Sequence, residues 1–163
     1  MATLTSLLTD VRNKLDETTS GQWTDAELRT WINEAARDMS RRSETLQSSS
    51  NITVVADTQE YTLPTDTLRV HRVEWRPTSS SNVYPLEYRD FNSMDTVWWS
   101  SQTTSKGYPN FYTMWGYPPT LKVVLYPTPS EAGVLKVFYY QHATDLATDG
   151  TADSSTVPVP SGY

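Results

Sequence analysis

The chain has 163 residues and a formal net charge of −6, and that acidic balance argues against a general nucleic-acid-binding surface, because neutralising phosphates takes a basic face. It has no cysteine, which removes disulfides, thiolate metal sites and a cysteine nucleophile. Aromatic residues make up 12% of it, with 6 Trp and 10 Tyr, so its core and its interfaces lean on large rings.

The N-terminal stretch MATLTSLLTDVR lacks the basic region and apolar run of a signal peptide, and no apolar run approaches the roughly 20 residues of a membrane span. The expectation is a soluble protein made in the cytoplasm, without membrane contact. Residues 4–17 predict a first helix, with Leu4, Leu7, Leu8, Val11 and Leu15 at helical spacing. Thr18-Thr19-Ser20-Gly21 breaks it. The strongest signal follows in WTDAELRTWINEAARDMSRR, residues 23–42, where Thr24 and Glu27 make a capping-box pattern. Leu28, Trp31, Ile32, Ala35, Ala36 and Met39 form one helical stripe. The two helices predict an antiparallel hairpin over 1–45, with Leu7, Leu8, Val11 and Leu15 packed on Leu28, Trp31, Ile32 and Ala35.

Residues 43–51, SETLQSSSN, read as a polar linker. Beyond it the period turns from helical to alternating, and an antiparallel β domain is predicted over 52–142. Its strands are expected at Ile52–Val55, Glu60–Leu63 and Leu68–Trp75, with a return strand at Val83–Tyr88. The alternation slips within Leu68–Trp75, which predicts a bulge near His71 or Arg72. A short helix is expected near 89–98, with Phe91, Met94, Val97 and Trp98 as its apolar face. Further strands are predicted at Pro109–Tyr117, Leu121–Tyr126 and Val134–Tyr140, which are rich in Val, Leu, Phe and Tyr. Residues 143–163 hold no Lys or Arg and no sustained apolar period. They read as an extended arm.

Catalytic constellations are absent from the pattern. No HExxH, GxSxG or Walker sequence occurs, and the two histidines, His71 and His142, read as packed or surface residues. Asp145, Asp149 and Asp153 are spaced by four, not by the two of a calcium loop, so no metal and no cofactor is expected. The rings of Trp98, Trp99, Tyr108, Tyr112, Trp115 and Tyr117 fit a core or a subunit interface, where Trp and Tyr are enriched. They also fit a surface that stacks on sugar.

The order of features resembles the head–tail adaptor (connector) proteins of tailed bacteriophages. The helix WTDAELRTWINEAARDMSRR, then EYTLPTDTLRVHRVEW, YPLEYRDF, GYPNFYTMWG, LKVVLYPTPSEAGVLKVFYY and VPVP carry the resemblance over nearly the whole chain. It implies an α+β fold: an N-terminal helical hairpin, an antiparallel β-sandwich and an extended C-terminal arm. It implies a structural protein, not an enzyme, in the neck of the virion. There a ring, a dodecamer, would join the portal protein to the next tail or stopper protein, and DNA would pass through the channel without specific binding. Interface candidates are Trp98, Trp99, Tyr108, Tyr112, Trp115, Tyr117, Arg37, Arg41, Val157, Pro158, Val159 and Pro160. The alternative is an aromatic-rich carbohydrate-binding sandwich of a phage fibre. In adaptors of this kind a further helical segment commonly follows the VPVP-like stretch, whereas this sequence stops at Tyr163.

Overall fold

In the computed structural model, residues 4–17, 21–93 and 105–145 are described. The fold is α+β, with two α-helices and two four-stranded sheets among the described residues. It divides into two compact units. One is Gln47–Gln141; the other draws on Met1–Leu46 and on the segment from His142 onward.

In the helical unit, α1 spans Leu4–Lys14 and α2 spans Asp25–Ser43. The start of α2 is built as its sequence demands. The Thr24 hydroxyl accepts the Glu27 amide at 3.3 Å, and the Glu27 carboxylate accepts the Thr24 amide at 2.9 Å, which satisfies two first-turn donors reciprocally. Glu44 ends the helix in the left-handed region at φ 47°, its amide turned back to the Ser40 carbonyl. The shared core is Leu8, Leu28 and Ile32, with Leu7, Val11 and Trp23 against it. Each fully buried side chain of this size contributes about 1.5–3 kcal/mol.

The expected stripe of α2 is split. Leu28 and Ile32 are buried together with Arg29, Asn33 and Ser40, whereas Trp31 is 43% and Met39 55% exposed. Ala35 also faces outward, and so does Leu15 at the end of the first helix. The buried face is therefore rotated towards the 29/33 row, and Trp31 lies on its rim, edge-to-face with Trp23 at 4.9 Å.

In the β unit, one sheet has the order β1 (Gln47–Val54), β10 (Gly133–Gln141), β3 (Thr67–Pro77), β4 (Tyr84–Pro85). The other has the order β2 (Glu60–Thr62), β8 (Lys122–Tyr126), β7 (Phe111–Trp115), β5 (Glu87–Tyr88). A two-stranded piece joins β6 (Lys106–Gly107) to β9 (Thr128–Pro129). The long pairings are antiparallel, and the two-residue pairs β5–β7 and β6–β9 are parallel. The inner faces share one core: Val54, Val73, Trp75, Leu135 and Val137 from one sheet meet Tyr61, Tyr112, Val123 and Leu125 from the other.

The bulge is present. Phe138 pairs with Arg72 and Tyr139 with Val70, so His71 is the extra residue and Val70 turns inward on the same side as Val73 and Trp75. A second irregularity skips Leu68, so Thr67 is buried and Leu68 only half-buried.

Two strand assignments change. Residues 47–51 are not linker but the first half of β1, paired to β10 without interruption from Gln47↔Tyr140 to Val54↔Gly133. Main-chain bonds make this strand, and its inward face begins with Ser48 and Ser50, which carry no apolar signal. The segment 83–88 is not one return strand. It leaves β3 after Pro85, turns Leu86 into the core with its amide on the Val73 carbonyl, and joins the second sheet through Glu87 and Tyr88. A 3-10 turn at Phe91–Ser93 stands where the helix near 89–98 was expected, and residues 94–98 lie outside the described residues.

Candidate functional site

The outer face of the second sheet is aromatic because alternate residues of two paired strands point there. Phe111, Thr113 and Trp115 of β7 sit opposite Tyr126, Val124 and Lys122 of β8. The 3-10 turn lays Phe91 on this face, 4.8 Å from the Trp115 ring and against Val124. The Arg89 guanidinium lies 3.7 Å from the Phe111 ring centre, a cation–π contact. Lys122 Nζ is 2.8 Å from Glu60 Oε2. Trp115 remains 55% exposed, and Tyr117, just beyond the Gly116 turn at φ +93°, is 81% exposed. Together they make a ring-bearing rim with charge at its edges, the composition of a contact surface.

The outer face of the first sheet is basic and ring-bearing. Val134, Lys136, Phe138 and Tyr140 run along β10, between Arg72, Glu74 and Arg76 of β3 and Ser49 and Asn51 of β1. Lys136 Nζ sits 4.9 Å over the Phe138 ring, and Arg72 pairs with Glu74 at 2.7 Å. The bulged His71 stands 5.9 Å from Tyr140, and a cleft of about 260 Å³ opens between them, Phe138 and the start of β1.

In the helical unit, charge does most of the positioning. The Glu17 carboxylate accepts the amides of Gly21, at 2.8 Å, Gln22 and Trp23, at 3.3 Å. Arg12, 8% exposed, reaches Asp25, Glu17 at 3.6 Å and the Trp23 carbonyl at 3.2 Å. Those amide bonds, the one from Gln22 first, hold the Glu17 pKa below the ordinary carboxylate value, and the Thr24 amide does the same for Glu27. Farther along α2, Arg37 grips Asp145 through two contacts, Nε to Oδ1 at 2.8 Å and Nη2 to Oδ2. This hydrogen-bonded pair lowers the Asp145 pKa and raises that of Arg37. The Ala143 amide donates to the buried Ser40 hydroxyl at 3.2 Å.

The expected site residues are thus sorted. Tyr108, Trp115, Tyr117 and Arg41 are exposed. The Tyr108 ring lies 5.6 Å from that of Tyr84, tilted by 53°. Tyr112 is 4% exposed and belongs to the core, where its ring helps to fill the sandwich. Arg37 is committed to Asp145. Trp98, Trp99, Val157, Pro158, Val159 and Pro160 lie outside the described residues. Sequence reasoning missed the cleft beside His71, although the slipped alternation marked the bulge that opens it. It also missed Trp31 and Met39 as exposed apolar residues, because a continuous stripe hides which flank is buried. Among the described residues no group of three or more His, Cys, Asp or Glu could hold a metal ion. Nor is any helix there long and apolar enough to cross a membrane.

A family model described as SU10 adaptor protein matches residues 2–163. No curated protein matches the chain.

Proposed function

The chain belongs to the SU10 adaptor protein family, a family of phage head–tail adaptors, and from that premise we propose that its copies close into a ring joining the portal to the tail around the DNA channel. Membership makes it a structural protein of a bacteriophage, a virion component that works through contacts with other phage structural proteins. The ring, its twelvefold count, its seat in the neck and its portal and tail-side partners are our reading. The observation that carries it is the family match over almost the full length. The exposed rings support it: Tyr88, Tyr108, Trp115 and Tyr117 in the β unit, Trp31 in the helical unit. A ring needs heterologous contacts, one patch against a different patch of the next copy, and we assign Tyr108, Trp115, Tyr117 and Arg41 to them.

The acidic surplus fits the channel. A net charge of −6 is repeated with every copy around the axis, and a lumen of that sign repels phosphates and lets DNA slide. The role is mechanical, not catalytic. Reconstruction of assembled particles tests the reading. The expected result is a twelvefold ring of this chain under the portal. Location at a fibre, together with glycan binding, would overturn it in favour of a carbohydrate-binding sandwich. Tight, salt-sensitive DNA binding by the isolated protein at physiological salt would overturn the sliding channel.

A further inference from the structure

The strand β1 is the outermost strand of its sheet, paired to β10 on one side only. Among the described residues no other strand pairs with its second edge. It is eight residues long, and the other outermost strands, β2, β4 and β5, have two or three. Proteins blunt such edges with charge, proline, bulges or shortness. β1 uses none of these. Its sequence QSSSNITV has no charged residue and no proline, and its register against β10 runs without a shift. Every second residue of β1 turns its N–H and C=O to the open side. Such an edge is a template for strand addition.

The added strand must be long enough to use the template and unable to extend the sheet further. Residues Thr156-Val157-Pro158-Val159-Pro160 meet both conditions by sequence. In an extended chain, residues two apart point their main-chain groups to the same edge. Val157 and Val159 therefore present N–H and C=O to one side, and the other side carries Pro158 and Pro160, which have no N–H to give. By sequence the segment is suited to pairing on one side only, which would close the sheet behind it. From Asp145, which Arg37 holds on α2, the residues from 146 to 156 span up to about 36–40 Å when extended.

We propose that the open edge of β1 receives residues Thr156–Pro160 of a second copy of this chain as an added strand. The inference rests on the ring reading above and gives it a heterologous contact, arm to edge, that repeats around a ring. The test is amide hydrogen exchange on β1 in the full-length protein over a concentration series, with mass measured in parallel by light scattering. The expected result has two parts. In the dilute monomer the edge-facing amides of β1 exchange freely, while those bonded to β10 are slow. As mass grows, the edge-facing amides slow by about tenfold or more. Val157→Pro with Val159→Pro abolishes that slowing, and Pro158→Ala with Pro160→Ala keeps it. Far-ultraviolet circular dichroism and the denaturation midpoint of each pair, matched to the parent chain, separate lost folding from lost pairing. Edge amides that stay fast in the oligomer overturn the proposal, as does slowing that survives Val157→Pro with Val159→Pro. Slowing already complete in the dilute monomer means the arm folds back on its own molecule, and also overturns it. A double-proline variant that still forms full rings refutes the arm while leaving the ring standing. A chain that slows at β1 yet stops at small open oligomers, in solution and on portal-bearing particles, keeps strand addition and removes the ring.

Discussion

Among the described residues, the β unit gathers thirteen buried apolar residues into one cluster, from Val54 to Tyr139, whereas the buried cluster of the helical unit is Leu8, Leu28 and Ile32. What the helical unit lacks in apolar burial it supplies with polar groups in or near its core: Arg12, Arg29, Asn33 and Ser40. The buried polar residues of the β unit are three threonines, Thr67, Thr113 and Thr128. The contrast separates two ways of fixing a shape. A close-packed sandwich resists changes of volume. A helix pair stitched by carboxylates and a guanidinium resists changes of charge much less well, and it leaves apolar rows such as Trp31 and Met39 uncovered for other contacts.

The largest expected effect comes from the two tryptophans that stand for the two units. Trp75 is fully buried between the sheets and Trp31 is 43% exposed. Trp75→Ala should cost about 3–5 kcal/mol. Trp31→Ala should cost about 1 kcal/mol, mainly its edge-to-face contact with Trp23. Chemical denaturation followed for both variants checks this. Equal losses would erase the distinction between core and rim. Next in size is Gly133→Ala, at the start of β10. A Cβ there would meet the Arg76 carbonyl oxygen and the Trp75 ring, each at 2.4 Å. Overpacking of that kind costs about 1–3 kcal/mol, read as a lower denaturation midpoint with unchanged helix content. A neutral result would mean that β3 gives way easily and that the sandwich is looser than its burial suggests.

The pH responses should be opposite. Glu17, Glu27 and Asp145 have pKa values held below their ordinary 4.5, 4.5 and 3.8. Depressed carboxylates give stability that is present above the unfolded values and is lost as pH falls through the folded ones. In the β unit, burial raises the phenols of Tyr61, Tyr112 and Tyr139 above 10.0. That stability is complete below pH 10.0 and is lost as pH rises through the raised values. Helical circular dichroism should therefore fade first on the acid side, below pH 4.5, and near-ultraviolet tyrosine signals first on the alkaline side. Simultaneous loss at either end would show one cooperative molecule in place of two separable responses.

How much of this was readable in advance follows the same division. Where burial is apolar and periodic, as in β10 and in the Thr24–Glu27 start of α2, residue pattern and structure agree. The slip in β3 even located the bulge at His71. Where polar groups do the burying, pattern fails. Arg29 and Asn33 are polar and yet inside, while Trp31 and Ala35 fit the apolar stripe and are out. Ser48 and Ser50 looked like linker, because a strand held by its neighbour's main chain needs no apolar side chains of its own. Tyr112 resembled its exposed neighbours Trp115 and Tyr117, and only the register of β7 against β8 sends it inward. The cleft beside His71 depends on three strands meeting, which no local window contains.

The most local expected effect concerns how the chain is held after β10. Two ties fix it to α2: the Arg37–Asp145 ion pair and the Ala143 amide on the Ser40 hydroxyl. The ion pair is about half exposed, 47% and 52% for its two side chains, so solvent and salt screen it and it contributes little. The Ser40 bond is buried, and removing its acceptor strands an N–H at a cost of about 1–3 kcal/mol. Arg37→Ala should therefore leave the Ala143 amide protected against hydrogen exchange, and high salt should mimic the substitution. Ser40→Ala should release that amide, with Arg37 and Asp145 still in place. The opposite order of effects, with protection lost in Arg37→Ala and kept in Ser40→Ala, would make the segment after β10 a salt-sensitive latch. The helical unit would then be governed by charge even where it buries a polar bond.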